Sequence, residues 1–253
     1  MLEYSVVIPV YNEADKITST LTQVVGFMRD YARSFEVVVV DDGSADNTAD
    51  LVENFAKENP EIKLIKNPHK GKGPSVWKGM MTAEGYYIYM ADADLAAPIS
   101  AIKKLTTWLK DHDFDVVIAS REGVGAERVG EPFYRHLMGR VFNYWVQLIA
   151  LPGIKDSQCG FKLFKHKVAK DIFSRLTIYG DEAKEREKAY LGAFDVEVLY
   201  LAKKQGYKVK EIPVTWTYVK TQRLNPFSDS VNMALDVIRV RLNDLRGVYR
   251  KKV

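Results

Sequence analysis

Glu36-Val37-Val38-Val39-Val40-Asp41-Asp42-Gly43-Ser44 decides the fold class. Four consecutive β-branched residues show no period-two alternation. A strand of that kind is covered on both faces, as in a parallel sheet flanked by helices. The acidic turn with its glycine closes the strand. Upstream, Tyr4-Ser5-Val6-Val7-Ile8-Pro9 reads as a strand of the same type. Downstream, Ile62–Ile65, Tyr86–Met90 and Asp115–Ala119 extend the series. Helical spacing fills the gaps, over residues 14–32, 46–58, 74–84 and 98–111. Pro74 and Pro98 suit first helical turns, where a missing N–H costs nothing. Strands alternating with helices predict an α/β fold with a mostly parallel sheet and helices on both faces.

Past residue 120 the rhythm changes. Residues 121–135, with Gly123, Gly125 and Gly130, read as a loop. A helix is expected from Phe133 to Ala150, a strand from Asp156 to Phe164, a helix from Phe194 to Lys204 and a strand from Tyr207 to Trp216. The charge-dense residues 180–190 read as a loop. A last helix is expected from Asp229 to Arg246, capped by Ser228. Val231, Leu235, Ile238, Leu242, Leu245 and Tyr249 form its apolar stripe at three-to-four spacing. The organisation expected is one domain over 1–220, in two halves at 1–120 and 121–220, followed by a basic amphipathic helix at 221–253.

The chain has 253 residues, 47% of them apolar and 28% charged, with a formal net charge of +4. That composition excludes disordered, collagen-like and purely coiled-coil classes. The charge is uneven: from Lys220 onward eight basic residues face three acids. Such a tail suits either an anionic membrane surface or a solvated helix face; nucleic acid is not an expected partner. The single cysteine, Cys159, forbids an internal disulfide and points to a reducing compartment. No apolar run approaches the ~18–20 residues of a membrane span, and no signal peptide is read at the start.

Ligands of an open parallel sheet bind beyond the carboxyl ends of its strands. The residues there are Pro9, Tyr11, Asn12 and Glu13; Asp41, Asp42, Gly43 and Ser44; Lys70-Gly71-Lys72-Gly73; Asp92-Ala93-Asp94; and Ser120-Arg121. Two carboxylates one residue apart suit a hard cation that keeps open positions for phosphates. Glycines permit close approach to a phosphate and lysines balance its charge. Each segment alone also fits an ordinary turn; their convergence on one rim is the signal. There is no Gly-x-Gly-x-x-Gly after the first strand, so dinucleotide redox chemistry lacks support. His69, His112, His136 and His166 pair with no evident Ser or Cys nucleophile, which argues against a triad hydrolase.

With these segments in hand, the chain resembles family-2 glycosyltransferases of the GT-A fold, nearest the dolichyl-phosphate glucosyltransferase and mannosyltransferase group. The matching stretches are 7–13, 40–46, 71–73, 92–95, Asp156-Ser157-Gln158-Cys159-Gly160-Phe161-Lys162-Leu163-Phe164, 194–200 and 213–216. The resemblance runs from Tyr4 to about Tyr249 and implies a catalytic domain over 1–220, with its nucleotide-binding half at 1–120 and its acceptor half at 121–220.

It implies a metal-dependent, inverting transfer of a hexose, glucose from UDP-glucose, onto a polyprenyl or dolichyl phosphate, at the cytoplasmic face of a membrane. GDP-mannose, UDP-N-acetylglucosamine or a soluble acceptor are the alternatives. A protein that binds sugar nucleotide without turnover is the non-catalytic rival. By the same resemblance Pro9, Tyr11, Glu13, Asp42, Lys72, Ala93 and the backbone of Val40 hold the nucleotide sugar. Asp92 and Asp94 carry Mg²⁺ or Mn²⁺, with Asp92 beside the donor sugar. Arg121 and Arg135 meet the acceptor phosphate, Asp195 or Glu197 meets sugar or acceptor, and Arg223 reaches in from a loop. Ala96 stands where a related branch carries Gln, removing one side chain from the metal's surroundings.

Overall fold

The computed structural model describes residues 1–181, 183, 192–219 and 226–250. In chain order the elements are β1 (Tyr4–Val10), α1 (Ile17–Tyr31), β2 (Phe35–Asp41), α2 (Thr48–Glu58), β3 (Ile62–Lys66), α3 (Lys72–Thr82), β4 (Tyr87–Met90), α4 (Ala101–Asp111), β5 (Val116–Ser120), β6 (Glu127–Val129), α5 (Phe133–Ile149), β7 (Lys162–Lys165), α6 (His166–Phe173), α7 (Phe194–Lys204), β8 (Val209–Pro213), β9 (Thr215–Thr217) and α8 (Pro226–Leu245). Seven strands make one sheet in the order β3-β2-β1-β4-β7-β5-β8. Only β7 runs antiparallel to its neighbours β4 and β5. The GT-A-type, mostly parallel architecture is therefore present.

The valine run behaves as its composition demands. Val38 and Val40 face one core, with Val7, Val76 and Ile88. Val37 and Val39 face the other, with Val6, Ile8 and Leu21. All four valines are fully buried, so alternate residues insert into helical layers on opposite sides. The order in the first half is as expected, with ends shifted by one to three residues. Pro98 is an exception: α4 starts at Ala101, whose N–H donates to the Pro98 carbonyl in a preceding turn.

The second half differs more. Residues 121–135 are not all loop. Their centre is β6, paired in parallel with β9. The strand expected over 207–216 is split, β8 joining the main sheet beside β5 and β9 the small pair. Of the stretch 156–164 only 162–164 is strand, the start of β7. The residues ahead of it are taken up in contacts under the cleft, described below.

In α8 the helix begins at Pro226, so Ser228 lies inside it rather than capping it. The buried row is Met233, Val237 and Val240, with Asp236. Val231, Leu235, Leu242 and Leu245 are exposed, and of the expected stripe only Tyr249 is fully buried. The helix has two apolar rows. Packing against α5 and α7 selects the row that also brings Asp236 to the Tyr179 hydroxyl and Arg239.

Candidate active site

A cleft of about 1140 Å³ lies across the carboxyl ends of β1, β2, β4 and β5. Pro9, Tyr11, Glu13, Asp42, Lys72, Asp92, Ala93, Asp94, Arg121, Arg135 and Asp195 all line it. Val40 does not: it is buried inside β2, paired with Pro9 and Ile65. Arg223 lies outside the described residues.

The wall after β2 is organised by Asp42. Its Oδ1 accepts from the Lys70 N–H (2.9 Å) and the Ser75 hydroxyl (2.9 Å). Its Oδ2 accepts from the Gly71 N–H (2.9 Å) and His69 Nδ1 (2.8 Å). Nδ1 carries the hydrogen, because the Asp42 carbonyl, its other partner, is also an acceptor. Gly71 has φ +97°, a left-handed conformation that glycine adopts freely, and α3 begins right after it. The buried Asp42 thus fixes the glycine-lysine loop. The Tyr11 ring stacks on His69 at 4.2 Å between centroids.

The floor holds the Asp92-Ala93-Asp94 turn. Asp92 Oδ1 sits 2.5 Å from Lys72 Nζ. Asp94 Oδ1 accepts from the Ala96 N–H at 3.0 Å. Burial and the Asp92 charge push the Asp94 carboxyl above the usual carboxylate range. Burial works against the Lys72 charge, but Asp92, Asp195 and Asp94 outweigh it and hold the ammonium above its ordinary value. Two carboxylates of like charge, part-desolvated and short of donors, are an arrangement that a hard divalent cation relieves. Among the described residues no three Asp, Glu, His or Cys side chains form a complete ligand set. The donor set therefore fits a cation that takes its remaining oxygens from substrate phosphates and water.

Asp195 opens α7 and faces the same cleft, its Oδ1 bound by the buried Lys162 ammonium. Burial holds its carboxyl above the usual range despite Lys162 and Lys72. Glu197, two residues on, is a different kind of group. It is fully buried and accepts from the N–H groups of Thr177, Ile178 and Tyr179 and from the Tyr249 hydroxyl. It pins 177–179 and Tyr249 to α7 and does not line the cleft.

Directly after β5, Arg121 forms a two-pronged pair with Asp156, Nε and Nη2 each at 2.8 Å, over the Trp216 ring at 5.3 Å. Asp156 also accepts the Arg121 backbone N–H. Burial pushes Asp156 up, but the guanidinium overrides it and holds the carboxyl below the usual range. Much of the Arg121 charge is therefore already answered. Arg135, on the first turn of α5, meets only the Tyr218 hydroxyl and ring (3.3 Å and 5.1 Å) in the contacts described.

Sequence reading missed Arg128, which lines the cleft between Glu122 and Glu131 (2.7 and 2.6 Å). β6 is three residues long, too short to show the alternation that would have placed Arg128 on a strand. Sequence reading also missed Lys162 and Gly160, although both stand in the longest matching segment. Cys159 is buried, its thiol pushed up to about 12 by desolvation, and takes no part as a nucleophile.

Beyond the cleft, α5 turns a second face outward. Phe133, Tyr134, Leu137, Met138, Val141, Tyr144 and Leu148 are exposed. Between Glu131 and Asp156 the sequence has no acid, while Arg135, Arg140 and Lys155 are basic. Tyr134 and Met138 also line the cleft, so its apolar wall continues onto this outer face. No helix among the described residues is long and apolar enough to cross a membrane.

Residues 5–173 match the model of Glycosyl transferase family 2. The chain belongs to that family. It is a glycosyltransferase by this membership and by its relatives. A dolichyl-phosphate beta-glucosyltransferase of Dictyostelium discoideum is 35% identical over 98% of this chain and 76% of its own length. The protein of that name from Homo sapiens is 33% identical, over 98% and 78%. Among solved structures, glucosyl-3-phosphoglycerate synthase from Mycobacterium tuberculosis, in complex with Mn²⁺, UDP-glucose and phosphoglyceric acid, superposes with TM-score 0.64. It is 16% identical, over 97% of this chain and 80% of that one, a likeness of fold.

Proposed function

We propose that the protein moves a hexose, glucose from UDP-glucose, onto the phosphate of a polyprenyl or dolichyl chain with inversion. The observation that carries this is the continuity of one cleft. It runs from the Asp42 wall, past Asp92, Asp94 and Asp195, to Arg135 and the apolar, acid-free face of α5. The names of the 31–35% identical relatives supply the acceptor class.

In the reaction an oxygen of the acceptor phosphate attacks the anomeric carbon. The bond from that carbon to the diphosphate oxygen breaks, and its electron pair leaves with UDP. The acceptor is already an anion at neutral pH, so no strong base is required. Arg135 draws the acceptor phosphate in, and the Arg121–Asp156 pair holds the wall that carries Trp216. Asp195 accepts a hydroxyl of the donor hexose, and Lys72 lies beside Asp92 at the donor phosphates. Mg²⁺ or Mn²⁺ held by Asp92 and Asp94 supplies charge neutralisation for the departing diphosphate. The chain's own contribution is placement of two anions side by side.

The outer face of α5, rather than the C-terminal stripe, is the surface we assign to the membrane. Helices of this type lie in the interface plane, and their basic residues favour anionic lipid. The cytoplasmic face is the side on which a buried free thiol is at home. A soluble acid as acceptor is the second reading, favoured by the fold shared with phosphoglycerate-using enzymes.

The test is UDP or GDP release with Mg²⁺ or Mn²⁺, a short polyprenyl phosphate in detergent, and UDP-glucose, UDP-N-acetylglucosamine and GDP-mannose in parallel. Lipid-stimulated UDP release from UDP-glucose is expected. Release only with phosphoglycerate would move the assignment to the soluble acceptor, and no release with either would sink the transferase reading.

A further inference from the structure

The antiparallel strand β7 has a consequence for the site. Its first residue, Lys162, pairs with Met90 and with Ile118, near the carboxyl ends of β4 and β5. An antiparallel strand enters a sheet where its parallel neighbours leave it. The loop 158–161 is thereby placed at the rim that carries the reaction, where Gln158, Cys159 and Gly160 line the cleft.

Two residues of this segment touch the two carboxylates that matter. At Gly160 φ is not in the left-handed region, so backbone freedom is not what glycine provides. What it provides is space: a Cβ there would overlap the Asp92 carboxylate, with even Oδ1 only 2.6 Å away. Asp92 is held from the other side by Lys72. Lys162 is 1% exposed, and its ammonium is spent on Asp195 Oδ1 and on the Cys159 carbonyl (2.5 Å). A buried ammonium is costly unless paired, and among the described residues Asp195 is its one carboxylate partner. The charged groups acting on Asp195 are Lys162 from β7, Lys72 from α3 and Asp92 from the turn after β4.

We propose that Gly160 and Lys162 are positioning residues for the transfer, one segment setting Asp92 at the diphosphate and Asp195 at the hexose in fixed relation. Gly160 leaves the volume that the Asp92 carboxylate fills, and Lys162, bound to Asp195 Oδ1, holds that carboxyl in its aim. This rests on the donor reading given above, and it adds that donor recognition is assembled on the acceptor-half segment rather than on the nucleotide-binding loops alone.

The experiment is calorimetric titration of UDP and of UDP-glucose, with and without Mn²⁺, into the wild-type, K162M, K162R and G160A proteins. In K162M the preference for UDP-glucose over UDP falls at least tenfold while UDP affinity holds, and K162R restores part of it. In G160A the Mn²⁺-dependent gain in UDP affinity falls at least tenfold while metal-free UDP binding holds. A wild-type sugar preference in K162M, or a wild-type Mn²⁺ gain in G160A, overturns the proposal.

Should K162M melt early, K162M/D195N decides: Lys162 acting through Asp195 requires the double variant to match D195N in melting temperature and sugar preference, and additive losses overturn it. If the wild type binds no nucleotide, the donor reading fails by itself. The K162M/D195N melting cycle and the Asp92 rotamer in a G160A crystal structure then decide the positioning separately. Additive melting losses, or an unmoved Asp92 carboxylate, count against it.

Discussion

The turns after β2 and β4 are built from the same residue types at the same rim, yet they do different work. Asp42 is buried and accepts four hydrogen bonds from the loop 69–75. Asp94 accepts one, from Ala96, in the contacts described, and lies beside the like charge of Asp92. A carboxylate saturated with donors is finished structure. One that is crowded, desolvated and short of donors stores an electrostatic demand that a ligand can meet. Asp156 belongs with Asp42 in this division, and Asp195 stands between, bound by Lys162 yet open to the cleft.

The sharpest way to break this contrast is Asp94→Asn. It removes charge but not shape, so turnover should fall by about 10²–10³-fold or more with an unchanged melting temperature. Nucleoside diphosphate release and a circular-dichroism melt read the two together, and retained turnover with a normal metal requirement would defeat the assignment.

Asp156→Asn should show the opposite pattern, a stability loss of about 3–5 kcal/mol, because Arg121 is left buried without its partner. Its pH signature has a definite sign. The folded-state value of Asp156 lies below the ordinary one. Its stabilisation is therefore complete above the ordinary carboxylate range and is lost as pH falls through the folded value. Urea melts from neutral to acid pH should show a steeper loss in the wild type than in the variant, the remainder coming from Glu36 and other paired carboxylates whose values are also held down.

Asp42→Asn is the intermediate case. Losing acceptor strength toward four donors should cost about 1–3 kcal/mol and raise the donor KM more than it lowers kcat.

The smallest folding effect is on α5: Leu137→Glu with Tyr144→Glu should leave stability within about 0.5 kcal/mol per site. Sedimentation with anionic vesicles should still drop severalfold. Unchanged vesicle binding would remove α5 as the membrane surface.

The same contrast explains what was legible in the sequence. A strand such as 36–40 announces itself because both faces must be apolar, and the turns that end such strands mark the rim without further information. Asp92, Asp94 and Asp195 were reachable in that way or through the matching segments. The role of Asp42 as an organiser was not, because its four donors come from residues 69–75 and meet it only in the fold. The rows of α8 misled for a related reason. Both are apolar, and the choice is made by Asp236 finding Tyr179, a contact 57 residues apart in sequence. β6 and β9 are three residues each, too short to show periodicity, and each exists only because the other does.

That small pair carries a mechanical implication. The Thr217 N–H, at the end of β9, donates to the Ala96 carbonyl at 2.8 Å. The N–H of that same residue donates to Asp94. Ala96 thus ties β9 to the Asp92–Asp94 turn through its own carbonyl and N–H. Moving β9 apart from that turn would break one of these two hydrogen bonds, so the small strand pair and the Asp94 turn are mechanically one piece, joined through a single alanine's backbone.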